Sequence, residues 1–198
     1  MAKSKTTFFC QTCGAQYAKW VGQCTSCKEW NTIVEEVVAH TTKPSVWKEA
    51  SGNRRASKPL RISEIQAGEE MRLPTGDKEL DQVLGGGIVP GSLTLIGGEP
   101  GIGKSTLMLQ TALRSTRKTL YISGEESQGQ IKMRSERIAS VNDSCYILTE
   151  TLTQNIFRQA ETLRPDLLIV DSIQTLHSDY LEATPGSVSQ IRECTAEL

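Results

Sequence analysis

The stretch that most constrains this chain is GEPGIGKS, residues 98–105, with Thr106 following. Gly98-x4-Gly103-Lys104-Ser105 fits the P-loop pattern in full, and its context fits as well. The apolar run Leu93–Ile96 precedes it as an expected strand, and a helical pattern with Leu107, Leu109 and Leu113 follows. Glycines let backbone N–H groups converge on an anion without a Cβ in the way. A helix N-terminus adds partial positive charge at the same spot. The residues expected to cradle ATP are Gly98, Glu99, Pro100, Gly101, Ile102, Gly103, Lys104, Ser105 and Thr106. Lys104 should reach the β- and γ-phosphates, Ser105 should ligate Mg2+, and Thr106 is placed for the α-phosphate.

A P-loop needs an acid at the end of a neighbouring parallel strand. LLIVDS, 167–172, offers one: a continuous apolar run suited to burial on both faces, closed by Asp171. Parallel strands end on one edge of the sheet, where ligands collect, so Asp171 is the expected second magnesium ligand. TLYIS, 119–123, reads as another strand of the series, with Glu125 and Glu126 at its exit. A carboxylate there can orient or deprotonate the attacking water. The alternative is a solvated loop. Successive extended residues point to opposite faces, so one of the two faces the nucleotide.

The remaining segments alternate. A helix is expected at about 128–140, a strand near Cys145–Leu148, a helix near 153–164 and another from about Ser187. GDKELDQVLGGG reads as a short helix stopped by Gly85–Gly87. Strands alternating with helices predict an α/β fold with a parallel sheet in three layers. The stretch from Asp171 through ATPGSVSQ carries few core residues and is expected to be a mobile loop. Arg192 beyond it either contacts DNA or covers a helix end.

A different chemistry occupies the front. Cys10, Cys13, Cys24 and Cys27 stand in the spacing C-x2-C-x10-C-x2-C. Two CxxC turns brought together make a closed tetrahedral site for structural Zn2+, and residues 1–36 are too few to fold on a core alone. A disulfide or redox pair is the rival, but redox CxxC motifs lie in a βαβ context absent here. Tyr17, Trp20 and Trp30 are expected to cap the site. Cys145, Cys194, His40 and His177 receive no site role. Residues 37–60 read as a linker. From Lys43 to Arg61 there are six basic residues and one acid, either a solvated tether or a strap for phosphate backbone. The core is then 61–198. A formal net charge of −1 announces no nucleic-acid partner. No apolar run reaches the ~18 residues of a membrane span and no secretory signal is visible, so a cytoplasmic location is expected.

FFCQTCGAQYAKWVGQCTSCKEWNT, LGGGIVPGSLTLIGGEPGIGKSTL, LYISGEES and LLIVDSIQT, in this order and spacing, resemble the RadA (Sms) family of bacterial DNA-repair ATPases. The likeness runs from about residue 8 to the end. One departure is CTSC, where a proline is expected after the first cysteine. The resemblance implies a RecA-like core related to replicative hexameric helicases. It also implies ATP-driven motion on single-stranded DNA, branch migration on branched DNA with the RecA recombinase, and a homo-hexameric ring. By analogy with RecA-like cores, Glu125 ranks before Glu126 as the water activator. The family's KNRFG motif and Lon-protease-like domain do not occur in these residues. The expectation is therefore a fragment with an incomplete core, lacking a strand between 93–96 and the Asp171 strand, and a poor motor by itself. An ATP-dependent switch of the KaiC type and a non-enzymatic zinc adaptor are the alternatives.

Overall fold

The computed structural model describes residues 5–38, 61–64, 71–138 and 142–198. Most of the expected linker, with its basic run, lies outside them. The front module is an antiparallel three-stranded sheet: β1 (Lys5–Cys10), β2 (Gln16–Tyr17) and β3 (Ile33–Val38), in the order β2-β1-β3. Cys10 ends β1 opposite Ile33, so strand pairing delivers the first knuckle to the metal position. The two knuckles are built alike. Gly14 N–H donates to Cys10 O at 2.8 Å, and Lys28 N–H donates to Cys24 O at 2.9 Å. The residue closing each turn is left-handed, with φ of 72° at Gly14 and 66° at Lys28.

The larger part is a parallel sheet between helices. It contains β4 (Thr119–Ser123), β5 (Cys145–Thr149) and β6 (Leu167–Asp171), in the order β5-β4-β6. Ser123 is level with Thr149 on one side and Asp171 on the other. Every residue of the central β4 is buried. Its alternation divides the core. Tyr121 packs with Leu109 and Ala112 of α2 (Lys104–Arg114) and Ile131 of α3 (Gln128–Ser135). Leu120 and Ile122 pack with Ile156 of α4 (Thr153–Leu163) and Cys194 of α5 (Val188–Glu197). The three-layer α/β arrangement expected from the alternation is present, and α1 (Lys78–Val83) is capped by Asp77, which accepts from Glu79 and Leu80 N–H. Two helix starts carry serine caps, Ser127 on α3 and Ser187 on α5.

Two expectations are corrected, and one residue gains an unexpected partner. Residues 93–96 form no strand; Leu93 and Leu95 are 65% and 84% exposed. Apolar sequence makes a strand only beside a hydrogen-bonding partner, and no described strand pairs with this segment. The segment after Asp171 is anchored rather than loose. Leu176 and Ser178 are buried, and Gln190 of α5 accepts from Ser178 N–H while donating to Leu181 O and Ala183 O. Arg192 has a partner that the sequence did not suggest: its Nη1 donates to Gly14 O at 3.1 Å, fastening α5 to the first knuckle.

That contact separates two otherwise equivalent turn positions. A Cβ on Gly14 would lie 2.8 Å from Val188 Cγ1, in addition to the left-handed strain. Gly14→Ala should lower unfolding free energy by about 1–3 kcal/mol, whereas Lys28→Gly should change it by no more than about 1 kcal/mol. Urea denaturation of the metal-loaded protein checks both; equal effects would contradict the docking.

Candidate functional sites

In the front module the sulfurs of Cys10, Cys13, Cys24 and Cys27 all lie within 4.8 Å of one another. The closest pairs, Cys10–Cys27 and Cys13–Cys24, are 3.6 and 3.5 Å apart. Four thiolates at 2.3 Å from one tetrahedral ion would stand about 3.8 Å apart, so the set fits a zinc-sized ion. The charges tell the same story. The Tyr17 hydroxyl, 3.1 Å from Cys24 Sγ, outweighs burial and brings that thiol down to about 6. Burial works against Cys10, but Thr32 and the N–H groups of Cys13 and Thr12 lower it. Cys27, although its Glu29 N–H contact lowers it, is pushed up to about 12 by burial and three neighbouring sulfurs. A dication relieves that repulsion, which is the role metal plays in such a site. Cys145 and Cys194 lie in or against the helical core clusters, apart from this group.

Only Tyr17 of the expected aromatic cap reaches the sulfurs. Trp20 and Trp30 are 57% and 66% exposed, on either side of Gly22. Ile33, with Phe8, Ala15, Tyr17 and Val21, packs around the cysteines, and the Thr32 hydroxyl lies 3.2 Å from Cys10 Sγ.

The second site lies at the end of the parallel strands. Gly103, at φ 102°, opens α2 without a side-chain cap, leaving its first N–H groups at the loop. Gly101 is also left-handed, at φ 78°. Lys104 Nζ donates to Gly98 O and Glu99 O, both at 2.8 Å, so the loop curls around its own lysine. Ser105 Oγ donates to Asp171 Oδ1 at 2.9 Å. Thr106 and Ile102 are exposed beside them. The hydroxyl and the carboxylate are hard oxygen donors suited to Mg2+.

The two glutamates separate. Only glycine fits at the turn, at Gly124, because a Cβ there would collide with Thr175 Oγ1. Beyond it, Glu125 Oε1 accepts from Ser172 Oγ at 3.1 Å and stays at the open edge. Glu126 turns inward and pairs with Arg134 Nη2 at 2.7 Å. Asp171 Oδ2 accepts from the Tyr121 hydroxyl at 2.5 Å. Burial, then the Asp171 carboxylate, holds that phenol well above its ordinary value, so it remains a donor. Sequence reasoning missed Tyr121, Arg134 and Ser172. The available signals were a phenol in an apolar strand, an arginine two helical turns after the glutamates, and a serine directly after Asp171.

Two family models match the chain: a zinc-ribbon model described as rubredoxin metal binding domain over residues 8–35, and an ATPase model described as KaiC over residues 73–142. Proteins named DNA repair protein RadA resemble it along its whole length. The relative from Halalkalibacterium halodurans is 49% identical over 99% of this chain. Those from Bacillus subtilis and Listeria monocytogenes are 46% and 45% identical over 100% of it. Along its whole length the chain is similar to these RadA proteins. It spans 43–44% of the length of these relatives. The two models give a metal-binding ribbon and an ATPase domain, and the resemblance to RadA proteins extends along the whole chain. Among the described residues no helix is long and apolar enough to cross a membrane.

Metal analysis of the purified protein should give one zinc per chain. Cys27→Ala should lose at least half of it and lose protease resistance in residues 5–38. Full occupancy in that variant would contradict the four-sulfur site.

Proposed function

We propose that this chain hydrolyses ATP at the P-loop edge and uses the cycle to act on DNA during recombinational repair. The observation that carries the reading is the 2.9 Å contact between Ser105 and Asp171, which joins the P-loop helix to the acid-bearing strand. The printed name of the relatives supplies the biological setting. In this reading the N–H groups of Gly98, Glu99, Gly101, Ile102 and Gly103 and the α2 dipole hold the phosphates, within a loop shaped by Pro100. Lys104 leaves its two carbonyl partners for the β- and γ-phosphates, and Thr106 meets the α-phosphate. Ser105 and Asp171 would hold Mg2+, which neutralises charge on the phosphates when bound. Glu125 is the catalytic residue that orients or deprotonates water, because it alone of the pair keeps its carboxylate at the open edge. Glu126 is placed one step back.

The finer reading is that of the family: stimulation by single-stranded DNA, branch migration on branched DNA with RecA, a homo-hexamer, and work in the cytoplasm. The zinc module would relay a DNA or partner contact to the core through Gly14 and Arg192. A nucleotide switch without DNA movement is the second reading, favoured by the KaiC description of the ATPase model. The zinc ribbon and the whole-length similarity to RadA proteins favour the first.

ATP hydrolysis with and without single-stranded DNA separates them, the ratio deciding rather than the absolute rate. DNA should raise the rate. Lys104→Ala and Glu125→Gln should each remove about 10²-fold or more of it, and Glu126→Gln clearly less. A rate indifferent to DNA would move the chain to the switch class. Equal losses for the two glutamine variants would overturn the assignment of Glu125.

A further inference from the structure

Arg134 is the penultimate residue of α3, and one of its nitrogens meets three groups. Nη2 pairs with Glu126 Oε2 at 2.7 Å, donates to Tyr121 Oη at 3.2 Å and stands 4.0 Å from Asp171 Oδ2. The side chains of Arg134, Asp171 and Glu126 are 19%, 17% and 33% exposed, so water screens these charges only in part. Lys104 does not share the task, since its ammonium is engaged by two loop carbonyls. Glu125 is engaged by Ser172 on the outer side. Arg134 thus supplies positive charge between two carboxylates, one of which sits against the Ser105 hydroxyl.

Two close carboxylates without a cation would repel each other and attract a divalent ion on their own. A guanidinium spreads its charge over a planar fork and can serve both while the Tyr121 hydroxyl fixes the nearer oxygen of Asp171. Resting on the nucleotide-site reading above, we propose that Arg134 is a positioning residue that makes uptake of the divalent cation conditional on nucleotide. It holds Glu126 inward, leaves Asp171 with one oxygen toward Ser105, and offsets enough negative charge that a cation binds there only when phosphates add their own. The same pairing explains why paired glutamates at one strand exit need not compete: Arg134 removes Glu126 from the nucleotide side and leaves Glu125 there.

The test is Mn2+ binding by the 198-residue chain, read by electron paramagnetic resonance, alone and with ADP. In the wild type, ADP should tighten Mn2+ binding at least about tenfold, a shift of about 1.4 kcal/mol. Arg134→Met should tighten nucleotide-free Mn2+ binding about tenfold and shrink the ADP effect, because one compensating charge is gone. Arg134→Lys should stay near the wild type, since charge is kept. Glu126→Gln should act in the opposite direction. It frees Arg134 to pair with Asp171, and Mn2+ binding in the presence of ADP should weaken about fivefold. Opposite signs are a signature that general loosening of the fold does not produce. Arg134→Met that binds Mn2+ alone no better than the wild type, while still binding ADP, would overturn the proposal. If Arg134→Met does not fold, unchanged Mn2+–ADP binding in Glu126→Gln would overturn it equally. A wild type that binds no ADP would instead defeat the nucleotide-site reading, with the nucleotide-free arms still reporting on Arg134.

Discussion

The two oxygens of Asp171 hold the working edge of the sheet together. One accepts from Ser105 in the first turn of α2, the other from Tyr121 at the middle of β4. A carboxylate at the end of a buried strand has little water to satisfy it, so both oxygens need donors from the protein. Their satisfaction fixes the start of the P-loop helix relative to β6. The lead-in to the loop supplies no such anchor, because residues 93–96 join no ladder. The Ser105–Asp171 contact is therefore a main tie between loop and sheet. It is also a contact that a bound cation would have to share.

The same edge continues toward the metal module. From Asp171 the chain passes Ser172, which donates to Glu125, and runs through a segment bound by Gln190. It then enters α5, whose Arg192 holds the Gly14 carbonyl. Burial and the three neighbouring sulfurs push Cys27 away from ionisation, and an ion shared by the four would relieve that crowding and tie the two knuckles together. Metal content and the seating of α5 are in this way parts of one assembly.

Motifs that encode chemistry locally were legible in the sequence. The four cysteines cluster, and Ser105 of the P-loop meets Asp171 at the strand edge, with Glu125 beside it on Ser172. Helix starts read near 128, 153 and 187 fall where α3, α4 and α5 begin, and Ser127 and Ser187 cap two of them by local interactions. What was not readable depended on distant partners. Leu93–Ile96 has strand composition but no described neighbour. Trp20 and Trp30 look like core residues by type, yet the cysteines pack against Ile33, Phe8, Ala15, Tyr17 and Val21 instead. Arg192 and Arg134 look like surface cations until the fold brings Gly14 to one and Glu126 to the other. The inward turn of Glu126, against the outward position of Glu125, is likewise set by that second contact.

The most direct test of the account is equilibrium binding of a fluorescent ADP during a magnesium titration, for the wild type and for Asp171→Asn. The account predicts that magnesium tightens nucleotide binding in the wild type and that Asp171→Asn removes most of this gain while magnesium-free binding persists. An equal magnesium gain in both proteins would show that Asp171 does not hold the cation, and the central role given to it here would be wrong.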